Sequence, residues 1–456
     1  MNDNREVFEK VPVPKAVALM SVPTIISMLV VVVYNMADTF FIGQTGDPMQ
    51  VAAVSLATPV FMVFMALGNL FGIGGSSAIS RALGEQRLER ARNISSFCCY
   101  SSLGIGILAA AVTLLGMDLI LRAIGASPNT YDFARNYLIY IALGAPFIMF
   151  ATAFGNILRG EGAAKESMIG NMLGTIVNIV LDPIMILVFN WGVIGAAIAT
   201  VIGNMAACGF YLMHFLKKKS VLSIRFQDFK FGERIASGVA GIGVPASLNN
   251  ILMSCANIIL NLALVGYGDV PVAAMGVASK ANMLVVLLLI GLCTGIQPLI
   301  GYNYGARNKK RLMQVFWFTG ACAVILGTIL TVIMVAARET VIRAFINDQD
   351  VIAYGIQMVI ALQTSGPILG ILFLCINTIQ GMGKAVPSLI LTVCRQGLVF
   401  IPLIFILNQM LGLEGVVYAQ PAADFVSTAL ATLFCFFIFR GLKQKAAAAE
   451  EAAGRA

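Results

Sequence analysis

The sequence predicts an all-α polytopic membrane protein whose twelve transmembrane helices form two pseudo-symmetric six-helix bundles around a central cavity. Composition, the number of long apolar segments and an internal repeat predict this class. Hydrophobic residues make up 59% of the 456 residues, charged residues make up only 11%, and the mean hydropathy is +0.88. Soluble domains are close to half apolar and about a quarter charged. The composition therefore excludes an ordinary soluble protein.

Apolar segments of membrane-spanning length occur twelve times. A straight helical span needs ~20 residues, and several segments are longer, which indicates tilt or bends. The segments cover roughly residues 16–42, 51–80, 94–117, 136–158, 167–188, 193–216, 235–265, 272–300, 315–337, 351–379, 386–407 and 415–439. The prolines within them are candidate bend points, and these are Pro23, Pro59, Pro146, Pro245, Pro298 and Pro367.

The distribution of Lys and Arg predicts the orientation of the chain. Most of the 30 basic residues lie at the N-terminus, in alternate connections and at the C-terminus. The opposite side has only Arg122, Arg135, Arg338 and Arg343. Because cytoplasmic loops carry the excess of positive charge, both termini are predicted to be cytoplasmic. The net charge of +8 is then a topology signal, and no nucleic-acid partner is expected.

The two halves of the chain resemble each other at a constant offset. Pro23 matches Pro245, and Gly46-Asp47 matches Gly268-Asp269. The long polar connection from Lys217 to Arg234 separates the halves, each with six spans, so the repeats run in the same direction. We expect an N-lobe at 1–216, an inter-lobe linker at 217–234, a C-lobe at 235–440 and a cytoplasmic polar tail at 441–456. Two such bundles around a cavity are typical of an alternating-access carrier.

The segment 167–188 carries polar side chains in an otherwise apolar run. Asn178 and Asp182 are four residues apart and therefore lie on one face of a helix. A carboxylate in hydrocarbon costs at least ~2.5 kcal/mol, so Asp182 is expected to face a polar interior and to be functional. Asp38 and Thr200 are predicted at a similar depth, ~8 Å and ~13 Å below the outer surface, and Asp182 ~22 Å above the inner one. These four residues are predicted to share one site.

Two carboxylates in a low-dielectric pocket cannot both stay ionised cheaply, so either one holds a proton or a cation lies between them. Oxygen ligands from Asp, Asn and Thr suit a hard ion such as Na⁺, whereas a shared proton suits H⁺ coupling. Both alternatives stay open. Further candidates for the same network are Tyr137, Tyr140 and Asn35.

The second half lacks this acidic centre, because Leu260 and Ile401 stand where the first half has Asp38 and Asp182. Asp424 in the last span, with Asn204 at the related place in the first half, is a secondary candidate site. The single histidine, His214, lies at a helix end beside Lys217 and is expected to be solvated.

Other mechanisms find little support in the sequence. It contains no G-x-x-x-x-G-K-[ST] motif for nucleotide phosphates. A membrane-embedded enzyme would require a metal cluster, a Ser/His or Cys/His pair, or two aspartate-rich motifs, and none occurs, so neither enzymatic activity nor a cofactor is expected. A lipid-linked oligosaccharide or lipid flippase is the alternative transporter. Such proteins line the cavity with several basic residues, whereas only Arg395 and Lys280 lie within or near spans here.

Four stretches resemble the multidrug and toxic compound extrusion (MATE) family, and the resemblance extends over essentially the whole chain. They are SVPTIISMLVVVVYNMADTFFIG (21–43), ILRGEGAAKESMIGNMLGTIVNIVLDPIMI (157–186), GIQPLIGYNYGAR (295–307) and IQGMGKAVPSLI (379–390). Within the family the chain is similar to the DinF-like and MepA-like bacterial branch. The NorM-like branch uses acids in the second lobe, but this chain has Asn257 near the first of those places.

The resemblance implies that Asp38, Asn178, Asp182 and Thr200 form the cation-coupling site of the N-lobe, for H⁺ or Na⁺, beside a tyrosine that matches Tyr137 or Tyr140. It implies an antiporter of the bacterial inner membrane. We expect this antiporter to be monomeric, to be embedded in lipid and to work by a rocker-switch. The expected substrates are organic, often cationic, amphiphilic drugs. Methionines in the likely cavity-lining spans, such as Met36 and Met253, suit varied substrate shapes.

Overall fold

The computed structural model describes residues 6–217, 220–232, 234–346 and 348–453. The side chains of Asn35, Thr39 and Lys443, and those of residues 445–453, lie outside this description. All of the regular secondary structure in the described residues is helical. The prediction of an all-α polytopic protein is therefore confirmed.

The first half begins with a short helix, α1 (Glu6–Glu9), followed by α2 (Val13–Gly43). It continues with α3 (Pro48–Gly84), α4 (Leu88–Leu115), α5 (Met117–Ala123), α6 (Tyr131–Gly160), α7 (Ala164–Pro183) and α8 (Val193–Leu216). A π-helical turn, Ile184–Val188, extends α7. The Asp47 side chain accepts a hydrogen bond from the Met49 N–H at 2.9 Å and so caps α3, whose first residue is Pro48.

The second half follows a connection that contains one 3₁₀ turn, Phe226–Asp228. Its helices are α9 (Ile235–Val265), α10 (Asp269–Gly305), α11 (Lys309–Ala336), α12 (Arg338–Phe345), α13 (Gln349–Gln363), α14 (Gly366–Gly381), α15 (Ala385–Val393), α16 (Ile401–Leu411) and α17 (Leu413–Ala453). A π-helical stretch, Cys394–Phe400, joins α15 to α16. The polar residues after 440 continue as helix in α17 as far as Ala453.

Eleven described helices, counted with their π-helical extensions, are long and apolar enough to cross a membrane, and a bent pair makes twelve if it forms one span. The pair is α13 and α14, which meet at an angle of 46°. The break lies directly before Pro367, one of the predicted bend points, and proline is well placed in the first turn of the second helix. The other five candidate prolines lie inside continuous helices.

Large apolar side chains are exposed along the length of these helices. Leu262 in α9 is 69% exposed, Ile107 in α4 is 62% exposed and Val332 in α11 is 61% exposed. In water such a surface would be unfavourable, whereas hydrocarbon tails solvate it well, so the exposed apolar belt agrees with a bilayer environment.

The two halves meet along one end of the molecule, which we call the closed end: the end where α2 and α9 begin and where α3 and α10 finish. Ser21 Oγ donates to the Leu292 carbonyl at 2.9 Å, and Ser77 Oγ donates to the Gln380 carbonyl at 2.5 Å. Ser247 Oγ donates to the Ala66 carbonyl at 2.6 Å. The three bonds join α2 and α3 of the first half to α9, α10 and α14 of the second.

Glycines permit the two halves to approach each other closely where α3 packs against α9, a contact that we call the glycine seam. A Cβ on Gly74 would collide with the Val239 carbonyl oxygen, and a Cβ on Gly243 would collide with the Leu70 carbonyl oxygen. The contact is reciprocal between α3 and α9, so the two backbones touch directly. Any larger residue at either position would force the helices apart.

Candidate functional site

The structure brings the predicted site residues together inside the first half. Asp38 comes from α2, Asn178 and Asp182 come from α7, and Thr200 comes from α8. Asp182 is fully buried, Asn178 and Thr200 are 2% exposed, and Asp38 is half-buried. Polar side chains from three helices therefore converge within an apolar bundle.

Asn178 links its two neighbours. In the amide orientation that gives both of its polar atoms a hydrogen-bond partner, its nitrogen donates to Asp182 Oδ2 at 3.3 Å and its oxygen accepts from the Thr200 backbone N–H at 3.1 Å. Asn178 and Asp182 lie one helical turn apart, which places the amide beside the carboxylate. Asn178 therefore fixes the position of Asp182 relative to α8.

The two carboxylates interact electrostatically with each other. Oδ1 of Asp38 is buried and has no hydrogen-bond partner among the side chains that the structure describes. A buried carboxylate oxygen without a donor is unfavourable unless a proton or a cation supplies the missing charge. The geometry thus leaves one acceptor available at the centre of the site.

Tyr34 is a member of the cluster that sequence reasoning missed. Its hydroxyl lies 3.4 Å from Thr200 Oγ1, and it interacts electrostatically with both Asp38 and Asp182. It precedes Asp38 by four residues on α2, and this one-turn spacing was the available signal. An aromatic residue in an apolar run otherwise looks like ordinary membrane-facing sequence.

Of the two tyrosines that the sequence left open, Tyr137 lies at the site. It is 6% exposed and interacts electrostatically with Asp38, Asp182 and Tyr34. Tyr140, on the same helix α6, is 36% exposed and takes no part in the described contacts of the cluster. The side chain of Asn35, the third candidate, lies outside the described residues.

Pro183 shapes the helix next to Asp182. Proline has no N–H, so the Ile179 carbonyl one turn earlier loses its usual helical partner, and the helix widens into the π-helical turn that follows. Such irregular turns occur often at functional sites. Asp182 is therefore presented at a break in regular hydrogen bonding.

The secondary candidates do not form a site together. Asn204 donates to the Thr200 carbonyl of its own helix at 2.8 Å. Asp424 lies in the second half, where it accepts from Arg395 Nε at 3.1 Å, Gln420 Nε2 at 3.1 Å and Ser365 Oγ at 3.2 Å. Arg395 also lies over the Phe373 ring, 5.1 Å from its centroid. Each half thus has a polar centre, but the acid of the second half is already paired with a cation.

The expectation for His214 is wrong. The side chain is 6% exposed, and its Nε2 lies 3.6 Å from Oε1 of Glu161, itself 1% exposed. Ser220 Oγ donates to the other oxygen of Glu161 at 2.5 Å. The connection after α8 folds back over the helix end and excludes water from it.

The oxygen atoms of the site in the first half suit a small hard cation as ligands. Two carboxylates, a hydroxyl and the second lone pair of the Asn178 amide oxygen are oxygen ligands of the kind that Na⁺ prefers, and the same carboxylates could hold a proton. Among the described residues no group of three or more His, Cys, Asp and Glu side chains could hold a metal ion. Asp38, Asn178, Asp182 and Thr200 therefore remain the candidate ligands, with Tyr34 and Tyr137 beside them.

Two repeated bundles, joined at one end and carrying an uncompensated acidic pair in the first, define a polytopic membrane protein of the two-lobed carrier class. A family model described as MatE matches the chain twice, at residues 23–184 and 245–406. The chain belongs to this family, the multidrug and toxic compound extrusion family. The predicted resemblance is confirmed, and the two matches show the same offset as the internal repeat.

Individual relatives match nearly the whole length of the chain. The multidrug export protein MepA of Staphylococcus aureus (strain MSSA476) is 35% identical over 436 residues, which cover 95% of each chain. MepA of Staphylococcus saprophyticus is 33% identical over 433 residues, with the same coverage. A solved structure, described as the outward-facing conformation of a multidrug resistance MATE family transporter of the MOP superfamily, is 28% identical with a TM-score of 0.92. It covers 97% of this chain and 99% of the other. The relatives are transporters, so the chain is a transporter and not an enzyme.

Proposed function

We propose that this protein is a secondary active multidrug efflux transporter that exports organic, often cationic, amphiphilic compounds by antiport with H⁺ or Na⁺. The observation that carries the proposal is the convergence of Asp38 and Asp182 in one half, with a buried Asp38 oxygen that lacks a described partner. The names of the staphylococcal relatives, which are multidrug export proteins, support the substrate class.

The acidic pair is the proposed coupling site. Loading one H⁺ or one Na⁺ changes the charge of the pair by one unit and relieves the repulsion between the carboxylates. Asn178 holds Asp182 in place, Thr200 offers its oxygen, and Tyr34 and Tyr137 can donate hydrogen bonds to the emptied carboxylates. Because α2 carries Asp38 and also contacts the second half at Ser21, the charge state of the site can bias how the halves tilt.

The transport cycle we propose is a rocker-switch. The predicted cytoplasmic N-terminus places the closed end on the cytoplasmic side of the bacterial inner membrane. Asp38, close to the far end of α2, then lies towards the outer face. The arrangement corresponds to an outward-facing state, in which a cation can enter from outside before the halves exchange their contacts. We propose that the protein works as a monomer.

The central cavity is the proposed drug site. Met36, Met62 and Met253 are each more than 40% exposed, and their flexible side chains adapt to varied ligand shapes. The acidic pair of the first half favours cationic compounds, since their positive charge competes with the coupling ion for the same negative potential.

Drug efflux from proteoliposomes tests the proposal. An imposed pH gradient and an imposed Na⁺ gradient are compared side by side, with ethidium as the substrate. We expect one of the two gradients to drive ethidium movement and the other to have no effect at constant membrane potential. Ethidium movement that is the same with and without each gradient would refute antiport with either ion.

Removing the Tyr34 hydroxyl is expected to weaken the coupling site without destroying it. A hydrogen bond contributes ~0.5–1.5 kcal/mol, so Tyr34→Phe should raise the ion concentration for half-maximal transport by up to about tenfold. The measurement is the initial efflux rate against ion concentration in proteoliposomes. Tyr140→Phe, the same change at a half-exposed position on α6, is the control and should behave like the unmodified protein. Equal effects of the two substitutions would remove Tyr34 from the site.

A further inference from the structure

Residues 6–11, which we call the N-terminal strap, lead into the first half but pack on the second. The Phe8 side chain is completely buried. Its ring stacks on that of Tyr302 in α10, with a centroid distance of 4.9 Å and an angle of 23° between the planes. A fully buried aromatic anchor in so short a segment indicates a specific docking position rather than a passing surface contact.

Arg311 of α11 binds the backbone of the strap. Its Nε donates to the Phe8 carbonyl at 2.6 Å, and its Nη2 donates to the carbonyls of Val7 at 3.2 Å and Val11 at 2.5 Å. The side chain of Asn303 adds a bond to the Phe8 carbonyl at 3.5 Å. The rigid fork of a guanidinium suits several acceptors at once, and a charged donor forms stronger bonds than a neutral one. One cation of the second half therefore holds three carbonyls of the strap.

Glu9 closes the contact towards the first half. Its carboxylate accepts a hydrogen bond from the Tyr302 hydroxyl. Gln86, two residues after the end of α3, donates to Glu9 Oε1 at 3.4 Å and to the Tyr302 hydroxyl at 3.2 Å. The strap thus lies where both halves meet, and its polar contacts reach each of them.

The connection that precedes α9, at residues 220–232, is bound to the first half in a similar way. In α4, Arg92 Nε donates to the Val221 carbonyl at 3.1 Å, and Tyr100 donates to the Ile224 carbonyl at 3.0 Å. Further along, Phe229 stacks on Phe97 of α4 with a centroid distance of 6.1 Å. α4 and α11 occupy equivalent places in the repeat. Each half therefore has its leading segment held by the third span of the opposite half, through backbone carbonyls and an aromatic contact.

We propose that the N-terminal strap is a latch that keeps the closed end shut, and that its release from Arg311 is a step of the transport cycle. This rests on the proposed alternating access, in which the halves separate at this end. The strap continues into α2 through Pro12 and therefore moves with the first half, whereas Arg311 moves with the second. The halves cannot separate here without breaking the Arg311 bonds or pulling the strap off α2.

Hydrogen–deuterium exchange of the full-length protein in lipid nanodiscs tests the latch without any drug or ion gradient. The segments to follow are 70–77 of α3 and 239–247 of α9, which form the glycine seam and are separate from the residues that bind the strap. We expect Arg311→Gln and Phe8→Ala each to raise exchange in these segments at least tenfold. Lys310→Gln, the same charge change at an exposed neighbour in α11, should leave exchange unchanged.

The latch would be overturned if Arg311→Gln and Phe8→Ala both left exchange at the glycine seam unchanged. It would also be overturned if Lys310→Gln raised this exchange equally. Phe8→Ala leaves all the backbone acceptors of Arg311 in place, so it reports on docking even if Arg311→Gln is poorly folded. Because the measurement needs no transport, a failure of ion coupling in proteoliposomes leaves it interpretable. Faster exchange with no ion-driven efflux would support the latch while refuting the antiport.

Discussion

Asp182→Asn and Asp38→Asn are each expected to reduce drug efflux to the level of cells that lack the transporter, while the protein still inserts into the membrane. The asparagine side chain nearly matches aspartate in size but can neither take up a proton nor neutralise Na⁺. The substitution removes a buried charge, so it should not destabilise the fold as an unpaired new charge would. Only the exchange of the proposed coupling ion is expected to be lost.

Ethidium extrusion from cells without other drug pumps measures this effect. Membrane fractionation shows that each variant is inserted in normal amounts. Asp132→Asn is the matched control, since Asp132 is an exposed acid in the first turn of α6, and the substitution changes the charge equally. Normal extrusion by either site variant would exclude that residue from coupling.

The second large effect, a loss of stability, is expected when the ion pair between Arg395 and Asp424 in the second half is broken. Asp424→Leu would leave Arg395 buried without its counter-ion, and loss of one partner of a buried pair costs ~3–5 kcal/mol. Arg395→Met would leave Asp424 in the same situation. Replacing both with apolar residues of similar volume is often neutral or stabilising. The double variant Arg395→Met/Asp424→Leu is therefore expected to recover most of the lost stability.

Thermal unfolding of the detergent-purified proteins compares the melting temperatures of the three variants and the unmodified protein. Both single variants should melt well below the unmodified protein, and the double variant should melt near it. If the two single losses simply add in the double variant, the residues do not form an energetically coupled pair. Efflux by a stable double variant would show that the charge pair is dispensable for transport, in contrast to the role that we propose for Asp38 and Asp182.

Much of the architecture was predictable because membrane spans leave strong local signals. Long apolar segments predicted twelve spans, and the structure has eleven such helices and one bent pair. Of the six prolines predicted as bend points, only Pro367 lies at a break between helices. Asp182 was recognisable because an acid inside an apolar run has few structural explanations. Its spacing from Asn178 placed the two on one helix face. These arguments use only neighbouring residues and helix geometry.

Contacts that depend on helix rotation or on long connections were not predictable in this way. Arg395 and Asp424 lie on different spans, and the sequence contains nothing that states which faces of those spans meet. His214 seemed solvated because it ends a helix, but the later connection that brings Ser220 to Glu161 covers it. Tyr34 looked like an apolar residue until its hydroxyl was placed beside Thr200.

The backbone contact between α3 and α9 at Gly74 and Gly243 has a consequence for the membrane as well as for the fold. Where two helices touch without intervening side chains, no continuous file of water fits between them. If the proposed coupling ion binds at Asp38 and Asp182, this packed contact leaves it no water-filled route between α3 and α9. Under the proposed antiport, a bilayer that holds many copies of the protein would then keep its electrical potential, because entry of the ion on one face would not be followed by leakage to the other.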